Sequence, residues 1–151
     1  MRKGEFVSAA EFYKLLAVDD AFCQQLGRAI LAANQLESEL KIFLSRSDCA
    51  KDTKRKTLGQ LIELLKEQKL LSKMQPALEQ LRDQRNYLTH NVHALFAGLV
   101  EETILPRTDL LDSDVDLFTE RACQLAENLL ELAKAVARQN RTSRERCNWL
   151  S

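Results

Sequence analysis

The stretch AFCQQLGRAILAANQLESELKIFL, residues 21–44, decides the fold class of this chain. Its apolar residues recur at alternating spacings of three and four, the period at which side chains share one face of an α-helix. The members of this stripe are Phe22, Leu26, Ala29, Ala33, Leu36, Leu40 and Phe43. The stretch therefore predicts a long helix that buries one face against its neighbours.

Two later stretches carry the same spacing, and shorter ones connect them. The middle stripe comprises Met74, Leu78, Leu81, Arg85, Leu88, Val92 and Leu95, and the last comprises Val115, Phe118, Ala122, Leu125, Leu129, Leu132 and Val136. A short helix through Leu58, Leu61 and Leu65 is expected before the middle one, and a turn or helix from Ser8 to Leu16 precedes them all. These patterns predict an all-α, up-and-down bundle of four main helices with a short N-terminal helix.

Helix starts are indicated by residues whose side-chain oxygen satisfies free backbone donors. Ser8 precedes Glu11, Thr57 precedes Gln60, Ser72 precedes Gln75, and Ser113 is followed by Asp114 and Asp116. The last helix also has a second apolar stripe at Cys123, Ala126, Leu130, Ala133 and Ala137. It must therefore touch two neighbours, one of which could belong to another subunit.

Length and composition limit the function classes. The chain has 151 residues, and its Lys plus Arg equal its Asp plus Glu at 22 each, so no global positive charge indicates a nucleic-acid binder. We expect one helical domain over residues 1–140 and a polar, basic tail over residues 141–151. The link over residues 98–112 is long for a bundle and is expected to be a surface loop, a lid or a partner-facing segment.

The scattered cysteines and the N-terminal stretch bear on location. Four cysteines without C-x-x-C spacing predict free thiols in a reducing compartment and argue against a zinc site. Polar residues interrupt the first residues, so we expect no signal peptide, no membrane span and a cytoplasmic protein.

One motif departs from an ordinary helical pattern: Arg85-Asn86-Tyr87-Leu88-Thr89-His90. Arg85 falls in the apolar stripe, where an unpaired guanidinium would cost several kcal/mol to bury. At about 100° per residue, His90 lies roughly 140° around the same helix, beside Asp83, Asn86 and Tyr87. Either the helix loosens near Thr89–Asn91, or two copies of the motif meet across a dimer axis; we favour the second.

The motif resembles the signature of the HEPN superfamily, in which an arginine, a polar residue and a histidine lie late in a helix of a small all-α domain. The resemblance covers the architecture from about residue 20 to 140, and the specific motif covers six residues. It implies a homodimeric, metal-independent endoribonuclease, such as a toxin with an antitoxin partner or a phage-defence component. Arg85 and His90 match the catalytic pair, Asn86 matches the accessory polar position, and Tyr87 and Asp83 would support them.

That chemistry suits these residues. Attack by an RNA 2′-hydroxyl on the adjacent phosphate needs proton transfer, for which a histidine is suited, and charge stabilisation, for which a guanidinium is suited. The segment Lys51, Lys54, Arg55 and Lys56, with the arginines near the C-terminus, would guide RNA phosphates or simply solubilise helix ends.

The sequence allows three interpretations of this motif. The first is the ribonuclease, and the second is an inert HEPN-like module that binds a nucleotide or protein. The third is a structural bundle in which Arg85 pairs with a buried glutamate such as Glu37, Glu127 or Glu131. His90 and His93 have no carboxylate or thiolate at ligand spacing, and Gly59 and Gly98 stand alone, so the sequence predicts no metal and no nucleotide cofactor.

Overall fold

The computed structural model describes residues 9–47, 52–90 and 112–149, and all regular secondary structure in these ranges is α-helical. The helices are α1 (Ala9–Ala17), α2 (Asp20–Arg46), α3 (Leu58–Glu67), α4 (Gln75–His90) and α5 (Asp112–Trp149). The predicted all-α class is therefore confirmed for the described residues. No helix among them is long and apolar enough to cross a membrane.

Two helix starts show how local chemistry sets the boundaries. The carboxylate of Asp19 accepts a hydrogen bond from the Phe22 N–H at 2.8 Å and so caps α2. The predicted capping box of α3 is confirmed, because Thr57 Oγ1 accepts from the Gln60 N–H at 3.4 Å while Gln60 Oε1 accepts from the Thr57 N–H at 2.9 Å. α5 begins at Asp112, one residue before Ser113, and Ser8 lies outside the described residues.

The predicted cap at Ser72 is wrong. The Ser72 hydroxyl donates to the Lys69 carbonyl at 3.2 Å, and α4 begins only at Gln75. The reason lies in how α3 ends: Leu70 N–H bonds to the Leu65 carbonyl at 2.9 Å and Lys69 N–H to the Lys66 carbonyl at 3.1 Å. This is a Schellman end, with Lys69 at φ 53° in the left-handed region that favours glycine. Ser72 therefore belongs to the turn that completes this end of α3.

The helices divide between two compact units. Unit 1 comprises residues 1–30 and 84–126, and unit 2 comprises residues 31–83 and 127–151, so α2, α4 and α5 contribute to both. The buried apolar residues of unit 1 are Leu16, Phe22, Ala29, Phe118, Ala122, Leu125 and Ala126. Those of unit 2 are Ala32, Ala33, Leu36, Leu40, Leu44, Leu58, Leu61, Ile62, Leu64, Leu65, Leu78, Leu81, Leu129, Ala133 and Val136.

These lists follow the predicted stripes. On α2 five of the seven predicted positions are buried, and Leu26 and Phe43 are half-buried. On the second stripe of α5, Ala126 and Ala133 are buried, while Cys123, Leu130 and Ala137 are half-buried. The periodicity thus predicted which sides of α2 and α5 meet the core.

A buried polar contact joins α2 to α5 inside unit 2. Asn140, only 5% exposed, donates from Nδ2 to the Glu39 carbonyl at 3.1 Å and to Glu39 Oε2 at 2.9 Å. Arg46 in turn donates to the Asn140 carbonyl at 2.6 Å. The predicted domain boundary at residue 140 falls at this contact, inside α5, which runs on to Trp149. Residues 98–111 of the predicted long link lie outside the described residues.

Candidate functional site

The motif residues lie at the end of α4, on one continuous helix from Gln75–His90. Since His90 lies five positions after Arg85, the two positions are about 140° apart around the helix and roughly 7.5 Å apart along it. The helix thus remains intact through His90, whereas Asn91 lies outside the described residues. Within one chain, the helix directs these two positions to different sides.

Arg85 is half-buried on the face of α4 that carries the buried Leu78 and Leu81. One of its guanidinium nitrogens, Nη1, lies 3.4 Å from Oδ1 of the adjacent Asn86, a long hydrogen bond. Asn86 itself is exposed. The accessory polar residue of the motif is therefore in contact with its arginine.

Two exposed polar residues lie on α4 away from the buried face. Asp83 and Asn86 are both exposed, and they share a face with position 90 because they precede it by seven and four residues. The side chains of Tyr87 and His90 lie outside the described residues. The backbone nevertheless places position 90 on the side of α4 that bears exposed polar residues.

Asp83, predicted as a supporting residue, is engaged by a neighbour that the sequence analysis missed. Arg82 donates from Nε to Asp83 Oδ1 at 3.1 Å and from Nη1 to Glu63 Oε1 of α3 at 3.0 Å. Burial works to lower the pKa of the Arg82 guanidinium, but its hydrogen bonds and ion pairs with Asp83 and Glu63 outweigh burial and raise that pKa. Arg82 therefore fixes α4 to α3 three residues before Arg85.

A second ion pair at the same helix pair lies nearer the start of α4. Glu79 accepts from Gln75 Nε2 at 3.1 Å and pairs with Lys66 of α3 at 3.1 Å. The hydrogen bond from Gln75, followed by that from Lys66, lowers the pKa of the Glu79 carboxyl. Together with Arg82, these contacts hold α3 along the first two turns of α4. No signal in the sequence identified them, because each pair depends on which helices are neighbours.

The predicted basic segment lies beside α2 in unit 2. Lys54 and Arg55 are exposed and Lys56 is half-buried, whereas Lys51 lies outside the described residues. Lys41 of α2 donates to the Lys54 carbonyl at 3.1 Å and pairs with Glu37 at 3.0 Å. The segment is thereby attached to the second half of α2.

The second basic run reaches the same helix. Arg46 at the end of α2 bonds to the Asn140 carbonyl, and Arg138 and Arg141 on either side of Asn140 are exposed. Two charge runs that are distant in sequence are therefore both attached to α2 in unit 2. We call the exposed cations Lys54, Arg55, Arg46, Arg138 and Arg141 the basic surface.

The glutamates proposed as partners for a purely structural Arg85 have contacts of their own. Glu37 pairs with Lys41 at 3.0 Å, and Glu131 pairs with Lys134 at 3.2 Å. Glu127 is exposed on α5.

Metal-binding chemistry has no support in the part of the chain that the structure describes. Within it, no group of three or more His, Cys, Asp or Glu side chains could hold an ion. Of the two cysteines in the described ranges, Cys23 is exposed and Cys123 is half-buried, and neither forms a disulfide. Comparison of the chain with protein-family models, with curated proteins and with solved structures finds no match.

Proposed function

We propose that the chain is a HEPN-like, metal-independent endoribonuclease that acts in the cytoplasm as a toxin or phage-defence component. The observation that carries this proposal is the end of α4, where one continuous helix holds Arg85 half-buried and in contact with Asn86. The architecture that accompanies it is an up-and-down bundle of four main helices, paired as a homodimer through the surface at the end of α4, where Arg85 and His90 lie. An antitoxin or another protein would be its partner in the cell.

The helix geometry supports a site shared by two copies. The positions of Arg85 and His90 point about 140° apart on an intact helix, so one chain does not direct both at one phosphate. A two-fold axis brings a second set of the same residues to the opposite side of a common cleft. Arg85 of one copy and His90 of the other then act on the same bond.

In this mechanism His90 removes the proton from an RNA 2′-hydroxyl as its oxygen attacks the adjacent phosphorus. Arg85 stabilises the negative charge that develops on the phosphate oxygens, with Asn86 holding its guanidinium. The bond from phosphorus to the 5′-oxygen breaks, that oxygen takes up a proton from water, and His90 releases the proton it removed to the solvent. The products are a 2′,3′-cyclic phosphate and a 5′-hydroxyl, and neither a metal nor a cofactor takes part.

The basic surface supports RNA as the substrate class. Its exposed cations, which belong to unit 2, can contact RNA phosphates. The net charge of zero for the whole chain does not reveal this local positive charge. Of the four predicted RNA-binding residues, Lys54 and Arg55 belong to this surface, Lys56 is half-buried beside them, and Lys51 lies outside the described residues. Cleavage rather than binding alone requires the 2′-hydroxyl, which distinguishes RNA from DNA.

The alternative is a non-catalytic HEPN-like module that binds a nucleotide or protein. One observation favours it: the continuous backbone of α4 places position 90 about 140° around the helix from the half-buried Arg85. If no second copy supplies its His90 beside Arg85, the site has an arginine that can bind an anion but no neighbouring group that transfers a proton.

The test is cleavage of total cellular RNA in EDTA by wild type, Arg85→Ala and His90→Ala. We expect the wild type to cleave and each variant to lose at least about 100-fold in rate, the usual contribution of a general acid or base or a charge-stabilising donor. Arg28→Ala removes an exposed arginine of α2 and His93→Ala removes the second histidine, and both controls should retain activity.

A model oligonucleotide tests the chemistry itself. A strand with a single ribonucleotide at the cleaved position should yield a 2′,3′-cyclic phosphate, and its 2′-deoxy counterpart should remain intact. Equal cleavage by wild type and both variants would show a contaminating nuclease. RNA bound but not cut, across total RNA and with all variants folded, would favour the binding module.

A further inference from the structure

A shallow groove in unit 2 runs between α4 and α5. Its volume is about 410 Å³, within the range of roughly 300–1,000 Å³ that is usual for small-molecule sites. The apolar residues that line it are Ala77 and Leu81 of α4 and Leu132 and Ala135 of α5. Leu81 is buried, and Leu132 and Ala135 are half-buried, so these side chains form an apolar floor. We call this surface the α4–α5 groove.

Exposed polar side chains stand on both walls of the groove. Gln80 belongs to α4, and Glu131 and Arg138 belong to α5. Glu131 pairs through Oε1 with Lys134 at 3.2 Å, but both side chains are more than half exposed, so this ion pair is weak. The second oxygen of Glu131, Oε2, accepts no hydrogen bond from any other residue that the structure describes. The walls thus offer an amide and a carboxylate oxygen above an apolar floor.

Arg138 provides the positive end of the groove. No hydrogen bond or ion pair engages its guanidinium within the described part of the chain. Arg138 is also a member of the basic surface: Arg141 lies one turn further along α5, and Arg46 bonds to the carbonyl of Asn140 between them. The groove therefore opens beside cations that suit the phosphates of a nucleic-acid strand.

The two charged ends of the groove are one nucleotide apart. Seven residues separate the positions of Glu131 and Arg138, which places them on the same face of α5 and about 10.5 Å apart along its axis. A nucleotide spans a comparable distance from its phosphate to the hydrogen-bonding edge of its base. The phosphate of one nucleotide thus meets a cation at one end while the edge of its base meets an acceptor at the other.

The walls of the groove distinguish between bases. An ionised carboxylate only accepts hydrogen bonds, so Glu131 suits a base that bears an amino group, as in a carboxylate that accepts from cytosine. The amide of Gln80 both donates and accepts, so it suits the ring nitrogen beside that amino group. Uracil has no amino group and presents a carbonyl oxygen instead, which repels the carboxylate. The groove therefore favours adenine, cytosine or guanine over uracil.

We infer that the α4–α5 groove binds one unpaired, amino-bearing base of an RNA strand, with Glu131 and Gln80 on its edge and Arg138 on its phosphate. Leu81 and Leu132 contact the flat face of the base, as apolar side chains do where proteins hold a base outside a duplex. Only an unpaired base presents this edge and both faces to a protein. The inference rests on the proposed function in taking RNA as the ligand, and it adds a preference among sequences.

The experiment measures binding of short cytosine and uracil oligonucleotides to the full chain by fluorescence anisotropy. Both strands carry 2′-O-methyl groups, so no 2′-hydroxyl is free for cleavage. Wild type should bind the cytosine strand at least about fivefold more tightly, the lower end of what one base contact discriminates. Glu131→Gln introduces an NH₂ group that donates to the uracil carbonyl, so the ratio of the two dissociation constants should fall below about twofold. Glu120→Gln makes the same charge change at an exposed residue of α5 outside the groove and should keep the wild-type ratio.

A second variant tests the phosphate contact. Arg138→Gln should weaken binding of both strands alike and reduce the slope of log K against log salt by about one. Arg121→Gln, at an exposed residue of α5 outside the groove, should leave that slope unaltered. Circular dichroism of every variant establishes that its helices are intact.

The outcomes separate this inference from the proposed function. Equal affinity of wild type for the two strands, or a preference that survives Glu131→Gln, would overturn the inference. Failure of wild type to bind either strand would contradict RNA as the ligand and overturn it as well. A cytosine preference in a wild type that does not cleave total RNA would count against the ribonuclease and leave the base site standing.

Discussion

Replacing Asn140 by aspartate changes one buried NH₂ group to an oxygen and leaves the shape of the side chain the same. Asn140 is 5% exposed, and its Nδ2 donates to the carbonyl and the carboxylate of Glu39 at 3.1 and 2.9 Å. Asn140→Asp removes both donors. It also sets a second carboxylate against that of Glu39.

The size of the effect follows from these contacts. The bond to the carbonyl contributes about 1 kcal/mol and the bond to the carboxylate about 2 kcal/mol to the free energy of unfolding. The repulsion between the two carboxylates has an upper limit, because the introduced carboxyl can escape it by staying protonated. At pH 7, about three units above the ordinary pKa of this carboxyl, protonation costs roughly 4 kcal/mol. We therefore expect Asn140→Asp to lose about 3–7 kcal/mol at pH 7, a large part of the roughly 5–15 kcal/mol typical of a domain.

The loss should shrink as the pH falls. The pKa of a carboxyl beside another carboxylate is raised in the folded state. The contribution of this carboxyl to the free energy of unfolding is therefore fully present below its unfolded pKa of about 4 and is lost as the pH rises through its folded pKa. The proton it gains also restores one donor towards Glu39. The deficit of Asn140→Asp relative to wild type should therefore be larger at pH 7 than at pH 5.

Urea unfolding followed by circular dichroism at both pH values measures this. Gln139→Glu makes the same charge change at the adjacent, exposed residue and should stay within about 0.5 kcal/mol of wild type. A deficit of Asn140→Asp below about 1 kcal/mol, or one that grows as the pH falls, would refute the account of this contact.

Three further changes test the ends and links of the helices. Thr57→Ala removes the cap of α3 and should lower the free energy of unfolding in urea by about 1 kcal/mol. Thr57→Ser keeps a hydroxyl at the cap and should preserve most of that stability. An unchanged unfolding midpoint for Thr57→Ala would contradict a stabilising role of this cap. Lys69→Gly relieves a positive φ and should raise stability by about 0.5–1 kcal/mol, whereas Lys73→Gly should not; a loss at Lys69 would contradict the left-handed geometry. The lowered pKa of Glu79 means that wild type loses stability as the pH falls through that pKa, below the ordinary carboxyl value of about 4.3. Glu79→Gln should therefore flatten the acid side of a plot of melting temperature against pH, and a slope equal to that of the exposed-site control Glu67→Gln would count against it.

The parts of the fold that follow from local rules could be read from the sequence. The buried face of α2 needed only the spacing of Phe22, Ala29, Leu36 and Leu40, because any neighbour buries the same side of an amphipathic helix. The cap of α3 needed only Thr57 and a glutamine three residues later. Ser72 is likewise followed by a glutamine three residues later. It nevertheless lies in the turn after the Schellman end of α3, where its hydroxyl donates to the Lys69 carbonyl.

The contacts that depend on which helices are neighbours could not be predicted. Arg82 and Glu63 are separated by 19 residues, and Asn140 and Glu39 by 101, so no spacing rule connects them. The angle between Arg85 and position 90 belongs to the predictable part, since it depends only on the helix being continuous. Whether a second chain brings its His90 close to Arg85 of the first depends on how the chains associate, and the periodicity of one sequence does not determine that.

That dependence yields a direct test of the shared site. A heterodimer of Arg85→Ala and His90→Ala chains has two composite sites: one lacks both residues, and the other has an intact Arg85 from one chain and an intact His90 from its partner. Coexpressed with different tags and purified through both, such heterodimers should recover about half of the wild-type cleavage rate, although each variant homodimer is inactive. If both residues acted from the same chain, every site would lack one of them and the heterodimer would be as inactive as its parents. Because α4 runs unbroken to His90 and separates the two positions by about 140°, we expect recovery.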